Sequence, residues 1–163
     1  MASDASFDVV SEFDYQELVN AVDQTLREVH TRYDLKDSGA TIELDKTDME
    51  FTAPSAMALT AVRDILQSKM VSRKLSLKIL DFAEPEEASG GTLRQKAALR
   101  KGLNQELAKQ ITKLVRDGFP KLKTQIQGDA VRVIGKSKDD LQGVQAALRA
   151  KDYPVPLQFV NYR

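Results

Sequence analysis

The sequence predicts an α+β protein of two ferredoxin-like domains, each with the element order βαββαβ. The first observation behind this prediction is an internal repeat. "SAMALTAVRDIL" (55–66) aligns with "SKDDLQGVQAAL" (137–148), and "QELVNAVDQTL" (16–26) aligns with "QELAKQITKLV" (105–115). The second observation is that both copies alternate strand and helix patterns in the same way. Two matches in the same order indicate a tandem duplication of a unit of roughly 75 residues.

Each copy opens with a short alternating run, "FDVVSE" in the first and "TLRQKAALRK" in the second. A helix with apolar residues at helical spacing follows, and then two alternating runs joined by a turn. These paired runs are "TIEL" and "MEF" in the first copy, and "KTQIQ" and "VRVI" in the second. A second helix and a final strand, "LSLKIL" or "VPLQFV", complete each copy. Two helices would then cover one face of a four-stranded antiparallel sheet and leave the other face open.

The hairpin of the second copy predicts which side chains lie on the open face. Gly128-Asp129 is a favourable two-residue turn, and it sets Gln125 opposite Arg132. The apolar positions of this hairpin must face the helices, because a one-residue slip in register would expose them. These apolar-face positions are Leu122, Thr124, Ile126, Val131 and Val133. The side chains expected on the open face are Lys123, Gln125, Gln127 and Arg132.

The chain has 24 basic and 24 acidic residues, but they are divided unevenly. Residues 1–88 hold 18 acidic and 9 basic groups, whereas residues 89–163 hold 6 acidic and 15 basic groups. Either the basic half binds an anionic ligand, or the two halves attract each other. The chain has no cysteine, no apolar run long enough for a membrane span and an acidic start. We therefore expect a cytoplasmic protein without disulfides, thiolate metal sites or contact with a membrane.

The tripeptide Gly135-Lys136-Ser137 matches the end of a phosphate-binding P-loop. A P-loop requires Gly-x-x-x-x-Gly-Lys-Ser/Thr after a buried parallel strand. Here Ala130 stands where the first glycine belongs, and the preceding strand is part of an antiparallel hairpin. Ser137 instead fits a helix N-cap with Asp140 three residues later, and Ser55 repeats this role in the first copy. The tripeptide therefore does not predict an NTPase.

Basic residues nonetheless gather around this helix start. Lys136 and Lys138 flank its free N–H groups, and Lys123 and Arg132 are expected nearby on the open face. A helix N-terminus carries partial positive charge and attracts anions. The alternative interpretation is that all of these residues are solvated surface charges. The sequence predicts a nucleotide-binding site formed by Lys123, Arg132, Lys136, Ser137 and Lys138.

A second candidate site lies on the strand "TLRQKAALRK" (92–101). Arg94 and Arg100 belong to a basic strip that alternates with apolar residues, and this strip either keeps the strand soluble or meets phosphates. Open-faced RNA-binding modules of this class stack bases on sheet aromatics. Here we expect only Tyr162, on the last strand, to offer such a ring. Base stacking on the sheet is therefore not supported, but RNA binding through phosphates stays open.

The sequence predicts no catalytic residues and no metal site. His30 is the single histidine, and no spacing supports a nucleophile beside a base. The acidic residues of "AEPEEASGG" (83–91) fit a solvated linker, because Pro85, Gly90 and Gly91 accompany them. We therefore expect a protein without enzymatic activity, cofactor or bound metal.

Three segments carry a resemblance to a known family. They are "SFDVVSEFDYQELVNAVDQTLREV" (6–29), "TQIQGDAVRVIGKSKDDLQ" (124–142) and "LQFVNYR" (157–163). On these segments the chain resembles the bacterial YajQ family over essentially its whole length. The resemblance implies a non-enzymatic nucleotide-binding protein of the cytoplasm. Its implied ligands are cyclic di-GMP, GTP or tRNA, and an implied partner is a transcription regulator. The resemblance assigns no ligand residues.

The resemblance further implies that the two domains exchange their first strands. Domain one then comprises residues 14–101, including the strand 91–101, and domain two comprises residues 1–13 and 102–163. Residues 1–13 carry three acidic groups and residues 89–101 carry four basic groups, so the exchange would turn much of the charge asymmetry into internal attraction. We expect an effector that binds cyclic di-GMP or another guanine nucleotide and acts through a partner such as a transcription regulator. Binding of RNA or tRNA is the alternative.

Overall fold

The computed structural model describes residues 4–163. These residues form four α-helices and nine strands, and the strands form two antiparallel sheets. The helices are α1 (Tyr15–Thr31), α2 (Ala56–Ser72), α3 (Gln105–Gly118) and α4 (Lys138–Ala150). The strands are β1 (Ala5–Val10), β2 (Thr41–Leu44), β3 (Asp48–Ala53), β4 (Leu80–Phe82), β5 (Glu86–Glu87), β6 (Leu93–Leu99), β7 (Lys123–Gln127), β8 (Ala130–Gly135) and β9 (Gln158–Val160). Within the described residues, no helix combines the length and apolar character needed to cross a membrane.

The chain divides into two units. The middle unit is Phe13–Arg100, and the terminal unit joins the chain up to Glu12 to Lys101–Arg163. The predicted fold class is confirmed, since each unit combines a path of four antiparallel strands with two helices. That the two units are independently folding domains with exchanged strands stays a prediction.

The middle unit packs α1 and α2 against a sheet with strand order β2-β3-β6-β4. Alternation along β3 sorts its faces, because Met49, Phe51 and Ala53 are buried while Glu50 and Thr52 are partly exposed. The helices complete this core with residues that include Leu18, Val29, Leu66 and Met70. The face away from the helices therefore carries the polar positions, as the alternation predicts.

The terminal unit packs α3 and α4 against a sheet with strand order β7-β8-β1-β9. Its β7–β8 hairpin has the predicted register, with Gln125 opposite Arg132 and Lys123 opposite Ile134. The core of this unit includes Phe7, Val9, Ile111, Val133, Val144 and Leu148. The two-residue turn at Gly128, where φ is 60°, fixes this register locally.

β1 comes to the terminal sheet from a distant part of the chain, whereas β6 is continuous with the rest of the middle unit. β1 lies between β8 and β9, with Phe7 opposite Val133 and Val9 opposite Phe159. β6 lies between β3 and β4 and pairs with β3 from Leu93 to Ala98 but with β4 only from Ala97 to Leu99. Each sheet therefore has a central strand that the helices of its own unit cover.

The final strands of both copies are shorter than the sequence predicts. In "LSLKIL" the chain first forms a 3₁₀ turn, Leu77–Ile79, and only then enters β4. The side chain of Ser76 accepts a hydrogen bond from Lys78 N and caps this turn. In "VPLQFV" the strand begins at Gln158, two residues after Pro156, which has no N–H to give to a sheet.

Two other features differ in part from the sequence prediction. The segment interpreted as a solvated linker contributes β5, which pairs with Leu93 and Arg94 of β6, although Glu86 and Glu87 are exposed as expected. Gly90 has φ 76° and lets the chain reverse between these strands. Ile126 was expected to face the helices but is 50% exposed. It lies near the end of the edge strand β7, where the cover of the sheet ends.

Candidate functional site

A cleft of about 780 Å³ lies where the β7–β8 hairpin meets the start of α4. We call it the lysine cleft. Its charged and hydroxyl side chains are those of Asp4, Lys121, Lys123, Lys136, Ser137 and Asp140. The structure thus brings together three of the predicted site residues, Lys123, Lys136 and Ser137. It adds Lys121, which the sequence did not predict, because Lys121 precedes β7 and so lies outside the predicted hairpin register.

Packing explains the glycine of the Gly135-Lys136-Ser137 tripeptide. A Cβ atom at position 135 would overlap Cδ2 of Leu122. Leu122 is buried in the core of the terminal unit, so it has little room to move away. Gly135 is not among the glycines with positive φ, so close approach rather than backbone conformation requires a glycine here.

Helix capping explains the serine. Ser137 is the N-cap of α4, and its Oγ accepts a hydrogen bond from Asp140 N at 3.2 Å. Ser55 caps α2 in the same way and accepts from Ala58 N at 3.1 Å. Both predicted caps are confirmed, and the second occurs where no Gly-Lys precedes the serine.

The electrostatics of the lysine cleft favour an anion only moderately. Within residues 4–163, Lys121, Lys123 and Lys136 take part in no ion pair, so their ammonium groups are available to a ligand. Asp4 and Asp140 also line the cleft and oppose a bound phosphate. A phosphate would therefore fit best on the lysine side of the cleft, away from the two carboxylates.

Arg132 is held by an acid that the sequence analysis did not place beside it. Its Nε and Nη2 donate to Asp8 Oδ1 and Oδ2 at 2.9 and 3.3 Å, and Asn161 Nδ2 donates to Oδ2 at 2.9 Å. Asp8 is only 6% exposed. The hydrogen bond from Arg132 lowers the pKa of Asp8 below 3.8, against the opposing effect of burial. Arg132 does not line the lysine cleft.

The second candidate pair, Arg94 and Arg100, belongs to the middle unit. Arg94 contacts Glu50 across the sheet at 3.2 Å, and Arg100 contacts Asp81 at 3.1 Å. Opposite charges on neighbouring strands account for both arginines without a ligand. The structure does not bring Arg94 or Arg100 to the lysine cleft.

The sequence predicts Tyr162 on the open face of the sheet. This prediction was wrong, because Tyr162 lies on the helix side. Val160 pairs with Asp8, and Arg163 exchanges two backbone hydrogen bonds with Ser6, at 3.0 and 3.1 Å. Three steps along the C-terminal segment therefore match two steps along β1. Asn161 takes up the extra residue with φ 55°. Such a bulge reverses the face on which the following side chain lies.

The bulge places Tyr162 in a second groove, of about 480 Å³, which we call the tyrosine groove. Its lining residues are Ala5, Ser6, Phe7, Lys138, Leu141, Gln142, Gln145, Tyr162 and Arg163. Lys138, predicted for the same site as Lys136, lines this groove and not the lysine cleft. Among residues 4–163 the structure shows no group of three histidine or acidic side chains placed to hold a metal ion.

Comparison with known proteins identifies relatives over the full length of the chain. The family described as "Nucleotide-binding protein YajQ-like" matches residues 5–163. A "Nucleotide-binding protein" of Chloroflexus aggregans is 59% identical over 165 residues, which cover 100% of both chains. A "Nucleotide-binding protein" of Trichodesmium erythraeum is 55% identical over 163 residues, and a relative of Nostoc punctiforme is equally similar, each with 100% of both chains covered.

Proposed function

The chain belongs to the YajQ-like family, and on this premise we propose that it binds a nucleotide without transforming it. The names of the family and of the relatives support nucleotide binding. The observation that carries the proposal here is the meeting of Lys121, Lys123 and Lys136 in one cleft beside the start of α4. No ion pair among the described residues neutralises these three lysines.

The phosphate of the nucleotide would lie on the lysine side of this cleft. Ammonium groups act as point charges toward phosphate oxygens and make short, charge-assisted hydrogen bonds. The backbone N–H of Asp140 is already used by Ser137 Oγ, so the earlier N–H groups of α4 are the ones left for an anion. The carboxylate of Asp140 interacts favourably with the positive end of the α4 dipole. It would also repel a phosphate that moves deeper into the cleft.

The arginines take a smaller part in this proposal than the sequence predicts. A ligand would have to compete with the carboxylate of Asp8 for the Nε and Nη2 groups of Arg132. We therefore expect Lys123→Ala and Lys136→Ala to weaken binding more than Arg132→Ala does. From the sequence alone the opposite order is expected, because arginine can hold a phosphate with two parallel hydrogen bonds whereas lysine acts as a point charge. Arg94 and Arg100 are proposed to stabilise the sheet of the middle unit, where each has an acidic neighbour.

We propose a guanine nucleotide, with cyclic di-GMP as the first candidate, and an effector role in the cytoplasm through a partner such as a transcription regulator. The family resemblance supports this choice of ligand and partner. A bound nucleotide would raise the stability of the folded chain by mass action, so a thermal-shift series with cyclic di-GMP, GTP and ATP ranks the ligands directly.

The test is calorimetric titration of the full chain with each nucleotide. We expect Lys123→Ala and Lys136→Ala each to weaken binding by roughly tenfold, the effect of losing a hydrogen bond to a charged group of about 1.5 kcal/mol. Lys109→Ala is the matched control, because Lys109 is exposed on α3 and does not line the cleft. No binding of any nucleotide at micromolar concentrations, or equal loss in the control, would overturn the proposal.

The absence of turnover is tested separately. The Gly135-Lys136-Ser137 tripeptide is accounted for by packing and capping, so we expect no phosphate release above background from GTP or ATP. Phosphate release that follows the purified protein and disappears in Lys136→Ala would show that the chain is an NTPase.

RNA or tRNA binding through basic sheet faces is the alternative function. The pairing of Arg94 with Glu50 and of Arg132 with Asp8 reduces the positive charge that these faces offer. Phosphate-mediated RNA binding loses affinity steeply with added salt, because each neutralised phosphate releases counterions. A steep salt dependence with a tRNA probe, together with no effect of free nucleotide, would favour this alternative over the proposal.

A further inference from the structure

The tyrosine groove contains an aromatic ring held in place from one side. Gln145 Nε2 donates to Tyr162 Oη at 3.2 Å, and Gln145 itself is only 8% exposed. The Phe7 and Tyr162 ring centroids are 6.2 Å apart, with the ring planes at 31°. Phe7 is a core residue that is only 1% exposed. A buried amide and a buried ring thus position a tyrosine that remains 63% exposed.

The backbone also fixes this tyrosine. Its neighbour Asn161 donates a side-chain hydrogen bond to Asp8, and its other neighbour, Arg163, is paired with the backbone of Ser6 in both directions. Tyr162 therefore belongs to the sheet edge and is not part of a loose terminus. An exposed ring held on both sides along the chain loses little conformational entropy when a ligand packs against it.

Within the part of the chain that the structure describes, the tyrosine groove has one cation and no carboxylate side chain on its helix side. Lys138 is a charged residue of its lining, whereas Arg163 pairs with Ser6 and acts on Asp8, on the other face of the sheet. Gln142 and Gln145 add amide groups that can donate and accept hydrogen bonds. The groove therefore combines a stacking surface, hydrogen-bonding amides and positive charge within about 480 Å³, a volume suited to a small ligand.

The tyrosine groove and the lysine cleft are separated by residues that are neighbours in the chain. Ser137 lines the cleft and Lys138 lines the groove. In the same way Asp4 lines the cleft and Ala5 lines the groove. Consecutive Cα atoms lie about 3.8 Å apart, so the linings of the two sites adjoin at the start of α4.

We propose that the tyrosine groove is the base subsite of the nucleotide, with the base stacked on Tyr162 and its phosphates directed toward Lys138 and the lysine cleft. The inference rests on the proposed function and adds to it the group that recognises the base. Aromatic side chains stack on nucleobases because every base presents a flat π face. Among the residues that the structure describes, the open sheet face offers no aromatic ring for base stacking. The bulge at Asn161 places such a ring, that of Tyr162, on the helix side instead.

The experiment compares a ligand that has a base with one that lacks it. GTP and inorganic tripolyphosphate are titrated calorimetrically into the full chain and into Tyr162→Ala, Tyr162→Phe and Tyr33→Ala. We expect Tyr162→Ala to weaken GTP binding about fivefold to about 140-fold, the range of one lost base–aromatic stack, and to leave tripolyphosphate binding unchanged. Tyr162→Phe keeps the ring and should retain most of the GTP affinity. Tyr33, which is 91% exposed in the middle unit, is the control.

The outcomes separate the stacking proposal from the proposed function. GTP binding that is unchanged in Tyr162→Ala overturns the stacking and leaves nucleotide binding standing. Equal losses for GTP and tripolyphosphate also overturn it, because the ring would then act on the phosphate site or on the fold. No binding of GTP or cyclic di-GMP to the unsubstituted chain overturns the proposed function and the stacking together. Thermal unfolding of each variant verifies that the exposed substitution leaves the chain folded.

Discussion

Gly135 illustrates how packing can imitate a functional motif at the scale of a single residue. Its Cα lies against Leu122, its neighbour Lys136 faces a cleft, and Ser137 ends the motif as a helix cap. Three consecutive residues that resemble one motif therefore have three separate roles, in core packing, in the lining of a cleft and in helix capping. Sequence reasoning excluded the P-loop correctly because the first glycine was missing, but the contact with Leu122 depends on tertiary packing that no local pattern reveals.

We expect Gly135→Ala to destabilise the protein by about 1–3 kcal/mol, the typical cost of overpacking a well-packed core. The new methyl group would overlap Leu122, which is only 8% exposed and so has little room to yield. Urea unfolding measures the change. Gly118→Ala is the matched control, because it lies at the exposed end of α3 with open space around it. It should be neutral or slightly stabilising. Equal stabilities of the two variants would show that the overlap relaxes freely.

The Asp8–Arg132 pair predicts a pH dependence. Arg132 lowers the pKa of Asp8 in the folded chain below its ordinary value of 3.8. The pair therefore contributes stability above that value, and the contribution is lost as the pH falls through the lowered pKa. We expect Asp8→Asn to be less stable than the unsubstituted chain at pH 7, with the difference shrinking below pH 3.8. Urea unfolding at a series of pH values measures it, with Asp23→Asn, exposed on α1, as the control. A difference that stays constant with pH would contradict this assignment.

At the scale of the elements, local signals were reliable and long-range register was not. The β7–β8 hairpin was predicted residue by residue, because the turn at Gly128 fixes it within a few positions. Asp8 and Arg132 are 124 positions apart, so their pairing depends on where β1 enters the sheet. Tyr162 was placed on the wrong face because the bulge at Asn161 breaks the alternation. Three of the five residues predicted for one site, Lys123, Lys136 and Ser137, line the lysine cleft, whereas Arg132 and Lys138 do not, and the tyrosine groove was not predicted.

The two helix caps give a prediction at this scale. We expect Ser55→Ala and Ser137→Ala each to destabilise the chain by about 0.5–2 kcal/mol, because a backbone N–H at each helix start loses its side-chain acceptor. Ser55→Asn and Ser137→Asn are the controls that keep an acceptor and should stay close to the unsubstituted stability. Urea unfolding measures all four variants. Alanine variants no less stable than the asparagine variants would show that water replaces the caps at no cost.

At the scale of the whole molecule, the uneven charge along the chain is partly balanced inside the sheets. β1 comes from the acidic half and carries Asp8 to Arg132 in the terminal unit. β6 comes from the basic half and carries Arg94 to Glu50 in the middle unit. The charge asymmetry was read from the sequence either as a sign of an anionic ligand or as attraction between the halves. These two pairs support attraction.

The position of β1 gives the last prediction. β1 lies between β8 and β9, and its Phe7 and Val9 are almost completely buried in the terminal unit. Removing residues 1–12 leaves Phe13, which packs against the core of the middle unit. We expect the deletion to abolish hydrogen-exchange protection in α3, β8 and α4 while α1 and α2 stay protected. Phe7→Ala should weaken the same elements, at a cost of about 3–5 kcal/mol for a large side chain lost from a core. If the loss of protection were confined to residues 14–88, the first strand would not belong to the second domain and the strand-exchange prediction would be wrong.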